Sequence, residues 1–155
     1  MKHKRLDVLF LGHDASRTGA PIMLLRLMQW LKEHTDLSCG VVLKAGGELE
    51  PDYAEAGPCR IYSEEMRAKP WLIHQLMRIP VLCRLVPFTR RRLLKATVRS
   101  WSPRVIYANT LATGELIDFF SVPGVPVVTH VHELEMVIRN LVGRPQMAQA
   151  RQHTD

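Results

Sequence analysis

The chain opens with a nearly unbroken apolar run, Leu6, Val8, Leu9, Phe10 and Leu11, followed by a glycine-containing loop and then by apolar positions at helical spacing. A continuous rather than alternating run marks a strand buried on both faces, as in a parallel sheet. In the loop Gly12-His13-Asp14-Ala15-Ser16-Arg17-Thr18-Gly19-Ala20-Pro21, Gly19 and Pro21 signal a helix start, because proline fits a first-turn position whose N–H has no partner anyway. Ile22, Leu25, Met28 and Leu31, widened by Leu24 and Leu27, form the stripe predicted to pack back on the sheet. A second strand is predicted within 38–45, broken by Gly46-Gly47, and a short helix over Glu50–Ala56 is stopped by Gly57-Pro58. Cys59-Arg60-Ile61-Tyr62 reads as a weak third strand. Helices follow over about 70–86 and 89–101, separated by Pro87, then a short apolar strand, Val105–Ala108. A helix over 113–120, a turn at Val122-Pro123-Gly124, a fifth strand over 126–130 and a helix over 134–142 complete the pattern. Strands alternating with helices predict an α/β fold, a doubly wound parallel sheet of Rossmann-like type covered on both faces.

Length and charge sharpen this picture. At 155 residues and 46% hydrophobic content, the chain fits one domain with a real core. That domain is expected over 1–145, with 146–155 a polar tail lacking a strand of its own. The sheet looks unfinished for a doubly wound domain, so a truncated chain is expected. No apolar run approaches the length that spans a bilayer. The basic start Met1-Lys2-His3-Lys4-Arg5 lacks the apolar stretch and small-residue cleavage site of a signal peptide. Cys39, Cys59 and Cys83 are scattered and without metal-ligand spacing, which fits buried thiols in a reducing, cytoplasmic setting. The net charge of +6 is segregated: from Met66 to Gly114 there is no Asp or Glu, while the same span carries ten lysines and arginines. Such segregation predicts an electropositive face with an anionic partner.

In parallel α/β sheets ligands bind outside the C-terminal ends of strands. Three loops leave strands there: Gly12–Gly19, Asn109-Thr110 with Thr113-Gly114-Glu115, and His130-Val131-His132-Glu133. The first lacks both the G-x-G-x-x-G and the G-x-x-x-x-G-K-[ST] patterns, so neither NAD nor ATP binding is indicated. It is either a phosphate cradle built from backbone amides near Arg17, Thr18 and Gly19, or a structural tight turn. His130 and His132, two apart, share one face if both lie on a strand. A metal pair with Glu133 or His153, a polar or catalytic role at the strand end, and a buried structural histidine are the three readings; no metal ligand set is assigned. A G-x-S-x-G elbow is absent, which argues against a triad hydrolase. Arg90, Arg91, Arg92 and Lys95, with Leu93, Leu94, Val98 and Trp101, give a helix with cationic and apolar sides. It fits a membrane surface or anionic partner, or a solvated face over a core. A nucleic-acid face rests on charge alone, without interleaved aromatics or a known module.

Taken together, Leu9–Pro21, Val105–Thr110 and Pro126–Glu133 resemble, in order and over almost the whole chain, the corresponding segments of bacterial family 4 glycosyltransferases. The resemblance implies the N-terminal, acceptor-side half of a two-domain GT-B enzyme that is retaining and metal-independent. It implies no cofactor, a nucleotide-sugar as co-substrate and a glycan or glycolipid acceptor. Ser16, Arg17, Thr18 and Gly19 would lie against the donor diphosphate and sugar. His132 would sit at the reaction centre with Glu133 in place of the more usual Asp, and His13, Asp14, Asn109 and Thr110 would line the acceptor cleft. The family's donor-binding half is not in this chain, so the chain alone is expected to be inactive or nearly so. Peripheral contact with the inner face of the membrane through the basic helices is a further implication. The competing expectation is a non-catalytic α/β module that docks to a membrane surface or anionic partner through those same helices.

Overall fold

The computed structural model describes residues 5–63 and 91–131. The first apolar run forms β1 (Val8–Gly12), which feeds α1 (Gly19–His34), β2 (Cys39–Leu43), α2 (Glu50–Ala56) and β3 (Cys59–Ile61). Residues 91–100 are helical (α3) and lead to β4 (Val105–Ala108). A single 3-10 turn at Leu111–Thr113 runs into α4 (Gly114–Phe120), and β5 (Val127–Thr129) follows. The predicted helices over 70–86 and 134–142 lie outside the described residues.

All strand pairings are parallel, in the order β3-β2-β1-β4-β5. The chain builds outward from β1 in one direction, then returns to the other side of β1 with β4 and β5. The point of reversal therefore lies between β1 and β4, as in doubly wound folds. Register sorts side chains by face. Leu9 pairs with Ile106 and Leu11 with Ala108, while Phe10 lies between Val41 and Tyr107.

Both faces are covered, which explains the continuous apolar runs. On one face Phe10, Val41 and Leu43 pack against Leu24, Leu25 and Met28 of α1 and Tyr53 of α2. On the other, Leu9, Leu11, Val42 and Ile106 pack against Leu94 and Val98 of α3 and Leu116, Ile117, Phe119 and Phe120 of α4. The buried stripe of α1 centres on Leu24, Leu25 and Met28, with Ile22, Leu27 and Leu31 at its margins. That rotation differs slightly from the predicted stripe, because Leu24 closes against the chain at the end of β1: a Cβ on Gly12 would come within 3.0 Å of its Cδ2.

The polar atom of the largest buried side chain is also satisfied. Tyr53 donates its hydroxyl to the Pro21 carbonyl at 2.7 Å, joining α2 to the first turn of α1. Burial pushes this phenol well above its ordinary value of 10.0, with the charges of Cys59 and Asp14 adding to the effect. The hydroxyl therefore stays a donor across any ordinary pH.

The cysteines conform in part to the sequence reading. Cys39 is buried and Cys59 half-buried, and neither is joined in a disulfide among the described residues; Cys83 lies outside them. Among the described residues no helix is long and apolar enough to cross a membrane.

Candidate functional site

The topology brings the C-terminal ends of β1, β4 and β5 side by side, so the loops after β1 and β4, and His130 after β5, lie along one edge of the sheet. Each loop has its own reason for its shape. In the first, Asp14 accepts from the Ser16 backbone N–H at 3.1 Å and from the Ser16 hydroxyl at 2.8 Å, an Asx turn that folds the loop back on itself. Ser16 Oγ lies 3.0 Å from Thr18 Oγ1, and His13 Nδ1 lies 3.2 Å from the second Asp14 oxygen. Partial burial acts to raise the Asp14 pKa. The two Ser16 hydrogen bonds and the nearby His13 ring outweigh it and hold the carboxyl below its ordinary 3.8.

This loop is fastened to the segment after β2. Ala45 N–H donates to the His13 carbonyl at 3.0 Å and Leu49 N–H to the Ala15 carbonyl at 2.8 Å. The contact demands glycine at position 47, where a Cβ would stand 2.5 Å from the Ala15 carbonyl carbon and oxygen. Arg17 completes the join through an ion pair with Glu48 at 2.9 Å, both side chains being mostly exposed.

The loop ends on the N-terminus of α1. Thr18 occupies the cap position in extended conformation, yet its side chain makes no capping bond, and the first turn holds no acidic residue. The positive end of a 16-residue helix thus follows the loop at the end of β1 with no acidic side chain in its own first turn.

At the end of β4, Asn109 and Thr110 are both only 5% exposed. Asn109 takes the Leu11 carbonyl through its backbone N–H at 2.9 Å and the Ala20 carbonyl through Nδ2 at 3.0 Å. It therefore ties β4 to β1 and to the first turn of α1. Thr110 caps the 3-10 turn by accepting from Ala112 N–H at 3.2 Å, and its carbonyl takes the Thr113 hydroxyl at 2.6 Å. These two predicted cleft residues hold the backbone of the crevice in shape.

At the end of β5 the structure departs from the expected strand. β5 stops at Thr129, one residue short of the predicted strand, and His130 lies just beyond it. His130 follows the sheet edge: its N–H donates to the Ala108 carbonyl at 2.8 Å, and its ring Nδ1 lies 2.7 Å from the Tyr107 hydroxyl. Tyr107 in turn packs edge-on against Phe10. His132, Glu133 and Arg90 lie outside the described residues. Among those described, no group of three or more His, Cys, Asp or Glu side chains could hold a metal ion.

Tyr107 is the site residue that sequence reasoning passed over. Its only signal was a hydroxyl-bearing aromatic inside an otherwise aliphatic strand, next to that strand's C-terminal end. Lys44 and Glu115 were also unexpected partners. Their ion pair, at 3.2 Å, bridges the end of β2 to the start of α4, with the Tyr62 hydroxyl 3.4 Å from the other Glu115 oxygen.

The described part of the basic helix packs its apolar side on the core. Leu94 and Val98 are buried in the core. The Arg91 guanidinium sits 4.8 Å from the Phe119 ring centroid and the Lys95 ammonium 5.3 Å from it. The apolar side of α3 thus covers the sheet, and two of its cations lie against an aromatic ring of the same domain. Arg92 and Leu93 remain exposed.

Fold and crevice together define a Rossmann-like α/β domain with its polar loops gathered at the strand-order reversal. Comparison with protein-family models, curated proteins and solved structures finds no match to the chain.

Proposed function

We propose that this chain is the acceptor-side α/β domain of a retaining glycosyltransferase that moves a sugar from a nucleotide-sugar to a glycan or glycolipid. The observation that carries the reading is the strand-order reversal between β1 and β4, where the α1 N-terminus meets a loop of hydroxyl-bearing residues fastened to the β2–α2 segment. A diphosphate suits such a place, since helix N-terminal amides and the helix dipole favour an anion.

In this reading Ser16, Thr18 and Gly19 border the donor diphosphate. Arg17 exchanges its exposed partner Glu48, a pairing worth little in water, for the more highly charged phosphates. His13 and Asp14 face the acceptor, and Asn109 and Thr110 keep the crevice walls in register. His132, with Glu133 beside it, is the residue proposed next to the reacting sugar carbon. The donor-binding wall is supplied by a second domain, because holding both substrates in line accounts for much of such an enzyme's rate.

The test is sugar transfer by the full open reading frame that contains this sequence, assayed with a panel of radiolabelled nucleotide-sugars and a bacterial glycolipid extract. Transfer from one donor is expected, with a loss of at least about 100-fold in His132→Ala and an unchanged melting temperature. Wild-type turnover in His132→Ala, or no transfer from any donor in the panel, overturns the proposal.

A further inference from the structure

The opposite end of the sheet carries a second opening. Where the chain enters β1, β4 and β5, a cleft of about 680 Å³ lies between the C-terminal end of α3 and the turn before β5. That size falls within the range of small-molecule sites. Its walls are apolar and stiff: Pro103 on one side, Val122, Pro123 and Val125 on the other. The second wall is a β-turn closed by Val125 N–H on the Val122 carbonyl at 3.0 Å, with Pro123 and Gly124 at its centre and Gly124 at φ 80°. The first wall begins at Ser102, whose φ of 44° ends α3 in the left-handed region where glycine is usual.

Two arginines, Arg5 and Arg99, line this cleft. Neither guanidinium has a hydrogen-bonding or ion-pair partner among the described residues. Their neighbours differ. Arg104 is paired with Asp7 at 3.4 Å, and Asp7 is further occupied by the Ser38 backbone N–H and hydroxyl, each at 2.9 Å. The nearby carboxylate is thus committed elsewhere, and among the described residues the two cations beside the apolar walls have no paired counter-charge.

We infer that this cleft binds a phosphate monoester with a short apolar tail, the two arginines taking the phosphate and the proline–valine walls taking the tail. Arginine suits a phosphate because its planar fork donates in pairs. The walls are set by the fold, so little ordering is needed on binding. The cleft lies at the opposite end of the sheet from the loops after β1 and β4.

Calorimetric titration of the 155-residue chain with n-hexyl phosphate and with inorganic phosphate tests the assignment. Hexyl phosphate is expected to bind at least tenfold tighter than inorganic phosphate. Arg5→Gln/Arg99→Gln is expected to weaken it at least tenfold, while Arg5→Lys/Arg99→Lys retains part of the affinity. Because both arginines are exposed, an unchanged circular dichroism melt is expected for both variants. Equal affinity for the two phosphates, or full affinity in the glutamine variant, overturns the inference. Flotation with phosphatidylcholine vesicles containing phosphatidic acid identifies the source. Arginine-dependent flotation assigns a lipid headgroup, and hexyl phosphate binding without flotation assigns a free ester.

Discussion

Asp14 shows how one side chain can shape a loop and respond to pH. Its carboxylate accepts two bonds from Ser16 and lies against His13, and its folded-state pKa is held below 3.8. A depressed carboxyl contributes stability that is fully present above its unfolded value and is lost as pH falls through its folded value. Asp14→Asn keeps an acceptor but loses the charge. It is expected to cost about 1 kcal/mol at pH 7, with the gap to wild type closing as the pH drops below about 4. Thermal melts of both proteins between pH 3 and pH 7 check this; a gap that persists at pH 3 assigns the loss to something other than charge. The loop could be found in the sequence because glycine, aspartate and serine each bring their own turn chemistry. The Tyr107–His130 contact could not. It depends on β5 pairing with β4 in a register that sets Tyr107 against Val128, two residues before His130, and no local pattern reports that.

At the scale of elements, strong local punctuation was the best guide. Glu50–Ala56 begins with Pro51 in its first turn and ends at Gly57, and the predicted and observed helices coincide. β5 was harder, since three residues with no flanking glycine leave the end of the strand to tertiary pairing. The basic helix illustrates a deeper limit. Its composition fits a membrane surface and a sheet cover equally well, and only the partner decides. With Leu94 3% and Leu93 69% exposed, the two neighbours should behave very differently. Leu94→Ala is expected to destabilise the fold by about 3 kcal/mol, and Leu93→Ala to stay within about 0.5 kcal/mol. Urea unfolding of the two variants distinguishes them; equal costs would mean that α3 does not pack as described.

For the molecule as a whole, the order β3-β2-β1-β4-β5 puts β1 at the centre, paired on both sides and covered on both faces. Backbone amides of Leu9, Phe10 and Leu11 should therefore exchange only on global opening, while those of Val127–Thr129 exchange at least about 100-fold faster by local opening. Hydrogen exchange read by NMR tests this; comparable rates in β1 and β5 would refute it. The α/β class was legible from the alternation of strands and helices. The crevice was legible only as three separate loops, since it takes the sheet order to bring their ends together.

That order also carries a cost during synthesis. Val105, the partner of Val8, lies 97 residues further along the chain. At about 5–20 residues per second, roughly 5–20 s of translation separate the two. Throughout that interval the edge of β1 that β4 will cover stays open, and Leu9 and Leu11 lack the Ile106 and Ala108 that will neighbour them. An open, apolar edge of this kind pairs readily with other chains. The domain depends most on prompt folding or on a chaperone while its central strand is already made and its fourth is still on the ribosome.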